Sequence, residues 1–537
     1  MCSVSPAQHG RVIWIAQPLT PNAVDGFLCP LSREKALVTD LLATHRSQAS
    51  GTKARFTRRQ MLALSAANVL SACSNESPES KAPFVRPNII VFLADALRAD
   101  HLGCYGHTVA TSPALDRFSK QSVVFEQCYS QAPWTKPSIA SISTGLLPRV
   151  HQAGISHWDV PHLHDFPVQR LRDRFVTLAE ALKEVGYHTA MFLANPMVQA
   201  GFGFEQGFDL YRYLPGAPRR VVDAALKWLT DEAREPFFLF IHEIDPHGPY
   251  TPADEVFEEL FAAPLKPTLD ALPAKDRQLL QEFRGFYANY QQGKVKGKPN
   301  LSNLSPPGLE YLRHLYDAEI AGADRLLDQL LGHLEAANTM QRTVVVFTSD
   351  HGEAFNEHRN FGHGKTVFDE EIHVPLVIRP PGRSLGHRVP WTVSLYDLYP
   401  TLVTLAGGSV PSYVQARTLL DQDGGLVVSR DRRVFSDLDH YVAETDRWDS
   451  CMVEGAVKVM TQGNGKWTAF YDRAADPTED SDLAGKATRR GSRLRRSIKV
   501  FEAEGRKHLA LAESFGQAEW TTGTQQQHQD LGALGYL

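Results

Sequence analysis

A chain of 537 residues, 43% apolar and 22% charged, is long enough for a large core and more than one domain. Its formal net charge of −5 is small for that size and argues against a broad nucleic-acid footprint. Six cysteines without metal-type spacing argue against a zinc knuckle or a disulfide framework, and no apolar run reaches membrane-spanning length.

The first 56 residues carry no periodic pattern. Phe56-Thr57-Arg58-Arg59-Gln60-Met61 then opens a charged, apolar and small-residue succession over 57–73 that has the order of an export signal. The twin arginines point to the folded-protein export route. Leu70-Ser71-Ala72-Cys73 resembles the bacterial lipoprotein cleavage box, so Cys73 is expected to be lipidated. That would hold the mature chain on the periplasmic face of a membrane without a spanning helix. The signal lies deep in the chain, so the true start is expected downstream of Met1. Residues 74–86 are Ser/Pro-rich and read as a tether.

Ile89–Leu93 is an unbroken apolar run, as expected of a strand buried on both faces, and Asp95 follows it. Thr343–Thr348 is a β-branched and aromatic run without alternation, read in the same way, and it leads to Asp350-His351. In open α/β sheets, chemistry collects beyond the carboxyl ends of strands. Two carboxylates and an imidazole there suit a divalent cation with ligands at about 2.0–2.5 Å. Between them lies Thr135-Lys136-Pro137-Ser138. Pro137 suits the first turn of a helix, placing Thr135 at a helix start, where free N–H groups favour an anion. A hydroxyl at that point is ordinarily an N-cap. The functional alternative is a nucleophile activated by the metal.

Asp95 with the following Leu97–Gly106 segment, Thr135–Ser138 ahead of Ser143-Thr144-Gly145, and Ser349–Glu353 with Gly362-His363-Gly364-Lys365 together resemble the sulfatase family of the alkaline phosphatase superfamily. The resemblance runs from about Pro87 onward. It implies an α/β sandwich with a central mixed sheet, a smaller C-terminal α+β domain, and a divalent metal (Ca, Mg, Mn or Zn) held by Asp95, Thr135, Asp350 and His351. It further implies that His247 protonates the leaving group and that Lys365 contacts the transferred group. Lys136, Asn195 and His363 are candidate substrate contacts. In two-metal relatives this region binds a second cation, for which Asp245 or His242 is available. The chain departs from the family at two points, one of them Asn195-Pro196, where the resemblance implies a lysine–histidine pair that grips the sulfate. Sulfatases carry Cys or Ser in a Cys/Ser-x-Pro-x-Arg motif and convert it to formylglycine; here Thr135 and Ile139 replace the first and last positions. Oxidised threonine would be a ketone, which cannot form the aldehyde hydrate that attacks sulfate. Phosphate esters are therefore the chemically favoured substrates, with sulfate esters as the alternative. A phosphoethanolamine- or glycerophosphate-type transferase is a further one. The expected partner is a small-molecule, glycan or lipid ester.

The division that follows is a catalytic domain over 87–390, with a polar, Pro-rich insertion at 252–310, a subdomain over 391–485 and a tail over 486–537. Tyr311–Ala337 has the spacing of a long helix, and its charges Asp317, Glu319 and Asp324 read as structural or surface groups. Ala456–Met460 and Trp467–Tyr471 read as strands joined by a Gly463-Asn464-Gly465 hairpin turn, and Asp476-Pro477-Thr478-Glu479 resembles the family's closing turn. Cys104 and Cys128 are candidates either for pairing or for free buried thiols.

Overall fold

The computed structural model describes residues 85–154 and 167–530, apart from short stretches within 216–218, 262–268, 287–298, 383–385, 443–444, 463–466, 485–490 and 517–529. The predicted export signal, Cys73, the tether up to residue 84 and the Gly463–Gly465 turn lie outside the described residues.

Eight strands form the central sheet, in the order His387–Ser394, Val123–Tyr129, His373–Arg379, Thr343–Thr348, Asn88–Ala94, Phe237–Glu243, His188–Leu193 and Leu210–Tyr213. His373–Arg379 runs antiparallel to both neighbours and the other pairings are parallel, so the sheet is mixed, as expected. The two strands read from runs without alternation lie side by side at its centre. Their pleat explains the missing alternation. Ile89, Val91 and Leu93 enter one apolar core, while Ile90, Phe92 and Ala94 enter the other.

Helix Pro306–Ala336 covers one face with Leu312, Leu315, Leu327 and Leu330. The other face is covered by the helices Thr135–Thr144, Leu178–Glu184 and Leu398–Leu405. Leu178–Glu184 starts at a full capping box between Thr177 and Glu180. A second sheet of Val434–Val442, Thr445–Glu454, Val457–Gln462 and Trp467–Asp472 is antiparallel throughout. It packs Met452, Val453 and Val459 into the same core as the second group of helices. This is the expected α/β sandwich with its smaller C-terminal sheet. The 252–310 stretch contributes the helices Asp254–Leu260 and Ala274–Arg284, and the tail contributes the helix Gly491–Ser514. Cys104, Cys128 and Cys451 are free thiols, which resolves the pairing question.

One buried ion network ties the second sheet to the first. Lys458 lies between Asp369 and Glu479, with its ammonium 2.8 Å from each carboxylate. Arg473 also grips Asp369, at 2.6 Å. The closing turn seen in the sequence thus supplies Glu479 to a cation from the C-terminal sheet, and Glu479 also accepts from the Asp369 amide at 3.0 Å.

Candidate active site

Sheet order brings distant segments together. The parallel register pairs Leu93 with Thr348 on one side and with His242 on the other. Asp95, Asp350-His351 and His242 therefore emerge at one edge of the sheet. Asp95, Asp350 and His351 are all fully buried, and one ligand atom from each lies within 4.8 Å of the others. His351 Nε2 is 3.5 Å from Asp95 Oδ1 and 3.5 Å from Asp350 Oδ2. Those two carboxylate oxygens have no hydrogen-bond partner. Buried polar atoms are normally satisfied, and two orphaned anionic oxygens facing one imidazole nitrogen fit a divalent cation.

The electrostatics agree. Burial pushes the Asp95 carboxyl up, but the hydrogen bond from His242 and the charges of His247, His242 and His351 bring it below the ordinary carboxylate range. Asp350 is raised by burial and then by the negative charge of Asp95. Burial works against a charge on His351, yet Asp350 and Asp95 outweigh it and raise its pKa. The cluster therefore attracts positive charge. The other oxygen of Asp350, Oδ1, accepts from the amides of Ala96 at 3.2 Å and His351 at 3.0 Å. Ala96 takes a left-handed φ of 58°, a strained value for a residue with a Cβ, and its amide meets Asp350 in that conformation. Tyr316 clamps the same loop, donating to the Ala96 carbonyl at 2.7 Å and accepting from the Arg98 amide at 2.9 Å.

Thr135 opens the helix Thr135–Thr144, but it is not the cap. Trp134 occupies that position and makes no side-chain capping bond. The hydroxyl is turned elsewhere: Thr135 Oγ1 lies 3.2 Å from His351 Nε2. Helix Thr135–Thr144 is locked to the end of strand Thr343–Thr348 by Ser138, which donates to the Asp350 carbonyl at 2.7 Å. Ile139, at the family's arginine position, is 1% exposed and belongs to the core.

The other expected site residues divide into two groups. His247 and His363 join the cluster, with their rings 4.9 Å apart and the His363 ring 4.2 Å from that of His351. Glu353 orients His363 through contacts of 3.3 Å. His247 Nδ1 donates to the Gly248 carbonyl at 2.6 Å, which sets the proton on that nitrogen and the lone pair on Nε2.

Asn195, Lys136 and Lys365 make their contacts within the chain. The Asn195 amide donates to Asp95 Oδ2 at 2.6 Å and to Thr135 Oγ1 at 3.2 Å. Both contacts hold the Thr135 oxygen and the Asp95 carboxylate in place relative to each other. The Met197 amide donates to Asn195 Oδ1 at 2.8 Å, which fixes the orientation. Lys136 is 1% exposed and stands with its ammonium 4.9 Å from the centre of the Phe202 ring, not in the carboxylate cluster. Burial pulls its pKa well below that of an ordinary lysine. Lys365 is exposed and donates to the Phe361 carbonyl at 2.6 Å. It belongs to the rim, where neighbouring Gly364 bonds the Pro133 carbonyl at 2.8 Å.

Of the two residues available for a second cation, His242 serves the first cluster. Its Nε2 is 3.0 Å from Asp95 Oδ2. Asp245 sits with Glu243 and Glu319, and burial first, then the charge of Asp95, push it up to about 7. Sequence reasoning missed Glu353 and Ser138. The acidic residue following Asp350-His351-Gly352 was the available signal for the first.

The sulfatase family model matches residues 87–409, more than half of the chain. The chain belongs to the sulfatase family. It is therefore placed among hydrolases acting on ester bonds, a family that uses a divalent metal. Curated relatives are distant. N-acetylglucosamine-6-O-sulfatase of Bacteroides thetaiotaomicron is 23% identical over 80% of this chain and 87% of that protein. Arylsulfatase K of Mus musculus is 23% identical over 74% of each. Among solved structures, phosphonate monoester hydrolase of Agrobacterium radiobacter shares the fold with a TM-score of 0.62 and 21% identity, covering 79% of this chain and 96% of that one. A 2-O GAG sulfatase matches with a TM-score of 0.62 and 19% identity, over 81% and 95% of the two chains.

Proposed function

We propose that this sulfatase-family hydrolase cleaves phosphate esters, mono- or diesters, with the Thr135 hydroxyl as its covalent nucleophile. The observation that carries the reading is the Thr135 hydroxyl itself. It is fully buried, not spent on capping, and placed 3.2 Å from His351 Nε2 beside two unpartnered carboxylate oxygens.

Asp95, Asp350 and His351 would hold the divalent metal, with Thr135 Oγ1 completing the set. When bound, the metal supplies Lewis-acid polarisation and lowers the pKa of a hydroxyl beside it. The chain's own residues do the rest. Asn195 orients the Thr135 oxygen and Asp95 together. Thr135 releases its hydroxyl proton to solvent and attacks phosphorus in line while the bond to the leaving oxygen breaks. The amides at the start of the helix Thr135–Thr144 favour the charge on the equatorial oxygens. His247 Nε2 in its protonated form gives a proton to the leaving oxygen. Water then hydrolyses the phosphothreonine and restores the hydroxyl.

The alternative of sulfate ester hydrolysis is favoured by the sulfatase relatives. It is disfavoured by the nucleophile, because a sulfate ester of threonine has no hydrate through which sulfate can be eliminated. We also read the chain as exported and lipid-anchored through Cys73, on the sequence pattern alone. A panel of aryl phosphate, phosphodiester, phosphonate and sulfate esters, assayed with metal-loaded protein, tests the substrate class. Turnover confined to the sulfate ester would overturn the phosphate reading.

A further inference from the structure

A second group of metal-type ligands stands outside the cluster described above. His101 and His107 lie on the loop that follows the first strand, and Asp317 lies on the helix Pro306–Ala336. One carboxylate serves both rings. His101 Nδ1 is 2.6 Å from Asp317 Oδ1, and His107 Nε2 is 3.4 Å from Asp317 Oδ2. The two ring centres are 5.0 Å apart, and ligand atoms from the three residues all lie within 4.8 Å of one another.

The geometry separates this group from an ordinary surface ion pair. Its side chains are 4% exposed at Asp317, 10% at His101 and 18% at His107, so the group is enclosed but opens on the His107 side. The 3.4 Å between His107 and Asp317 exceeds the usual N–H···O range of about 2.7–3.2 Å. It matches the edge between two ligands bonded at about 2.0–2.1 Å to a tetrahedral ion. The 2.6 Å contact of His101 with Asp317 is a hydrogen bond, whose proton an incoming metal would displace to solvent. The rings are also pre-oriented. His101 packs edge-on against Tyr316 at 5.0 Å and lies 6.1 Å from Phe355. Thr111 Oγ1 donates to its carbonyl at 2.6 Å. Fixed imidazole orientation is what metal sites obtain from their surroundings.

We propose that His101, His107 and Asp317 form a second, structural metal site, with water from the His107 side completing the coordination. Two imidazoles and one carboxylate favour a borderline ion of the zinc type over the all-oxygen environment of calcium or magnesium. Its position gives it a role. Tyr316 precedes Asp317 and clamps the Ala96–Arg98 loop, so an ion here pins the loop after Asp95 to the helix that holds it in shape.

Zinc content decides the matter. The full chain, His107→Ala and Asp317→Asn are stripped with a chelator, loaded with zinc chloride, freed of excess and counted by plasma mass spectrometry. Each variant is expected to hold one equivalent less than the wild type and to lose the part of the zinc-dependent rise in Tm that this site supplies. The difference is read whether or not the active site loads, so it stands apart from the functional proposal. Equal zinc content in all three proteins would overturn the site. His107 is the most exposed of the three, and Asp317→Asn keeps acceptor and donor atoms in place, so loss of zinc from a folded variant is distinguishable from unfolding by circular dichroism.

Discussion

Thr135 Oγ1 and His351 Nε2 lie 3.2 Å apart although 216 residues separate them in the chain. Both side chains are fully buried, and the contact joins the start of a helix to the segment that follows strand Thr343–Thr348. If the hydroxyl is the nucleophile, Thr135→Ala should lower kcat on the order of a thousandfold with the fold intact, as when a covalent nucleophile is removed. Thr135→Ser keeps the oxygen and should retain part of the rate. An alanine variant within tenfold of the wild type would remove Thr135 from that role.

Asp95 Oδ1 and Asp350 Oδ2 are buried acceptors with no hydrogen-bond partner. Chelation should therefore abolish activity, and adding back a divalent ion should restore it. At a free-ion concentration about a hundred times Kd, loading should also stabilise the fold by about 2.7 kcal/mol. Asp350→Asn should weaken both responses. Isothermal titration with the stripped proteins provides the measurement, and undiminished ion affinity in that variant would count against the assignment.

Asn195 bridges the two halves of the site, at 2.6 Å from Asp95 and 3.2 Å from Thr135. Removing such an orienting partner typically costs about 10–100-fold in metal affinity or activity. Asn195→Ala should show that loss mainly in kcat and in the metal concentration needed for half activity. A rise in KM alone would instead assign Asn195 to substrate.

Lys458 is fully buried between Asp369 and Glu479, at 2.8 Å from each. Lys458→Met would strand two carboxylates in the junction between the sheets. Breaking a buried pair by removing one partner costs roughly 3–5 kcal/mol. Urea unfolding should register a loss of that size. A change below about 1 kcal/mol would indicate that Arg473 alone neutralises the pair, as in an exposed ion pair.

Glu371 is fully buried and burial pushes its carboxyl up to about 8. Its folded pKa thus lies above the unfolded value of 4.5, and the folded state holds the extra proton between the two. Its contribution to stability is present below the unfolded value and is lost as pH rises toward about 8. Glu371 Oε1 meets Thr366 Oγ1 at 2.8 Å, a hydroxyl able to accept from an amide as well as donate. Glu371→Gln should therefore flatten the pH dependence of Tm over this range and raise Tm at the alkaline end. A variant that loses stability equally at every pH would contradict the buried, protonated acid.

Central strands were legible because a strand buried on both faces must be apolar along its middle, and Ile89–Leu93 and Val344–Phe347 are. The long helix was legible from its period, although its start at Pro306 was set by a proline that periodicity does not report. Asp95, Asp350 and His351 were found because each directly follows such a strand. The directions of the Lys136, Asn195 and Lys365 side chains were not legible, because side-chain direction depends on what lies opposite. Phe202 faces Lys136, the Phe361 carbonyl takes Lys365, and Asp95 and Thr135 both accept from the Asn195 amide.

By itself the sequence determined the chemistry available to this protein: a threonine where the family has a cysteine or serine, and carboxylates at the ends of buried strands. Those facts are local, written in residue type and hydrophobic run. Only the tertiary structure decided that the threonine oxygen turns from its helix toward His351, and that His101, His107 and Asp317 meet. Such meetings depend on strand order and on helix placement across the sheet, which arise from contacts hundreds of residues apart.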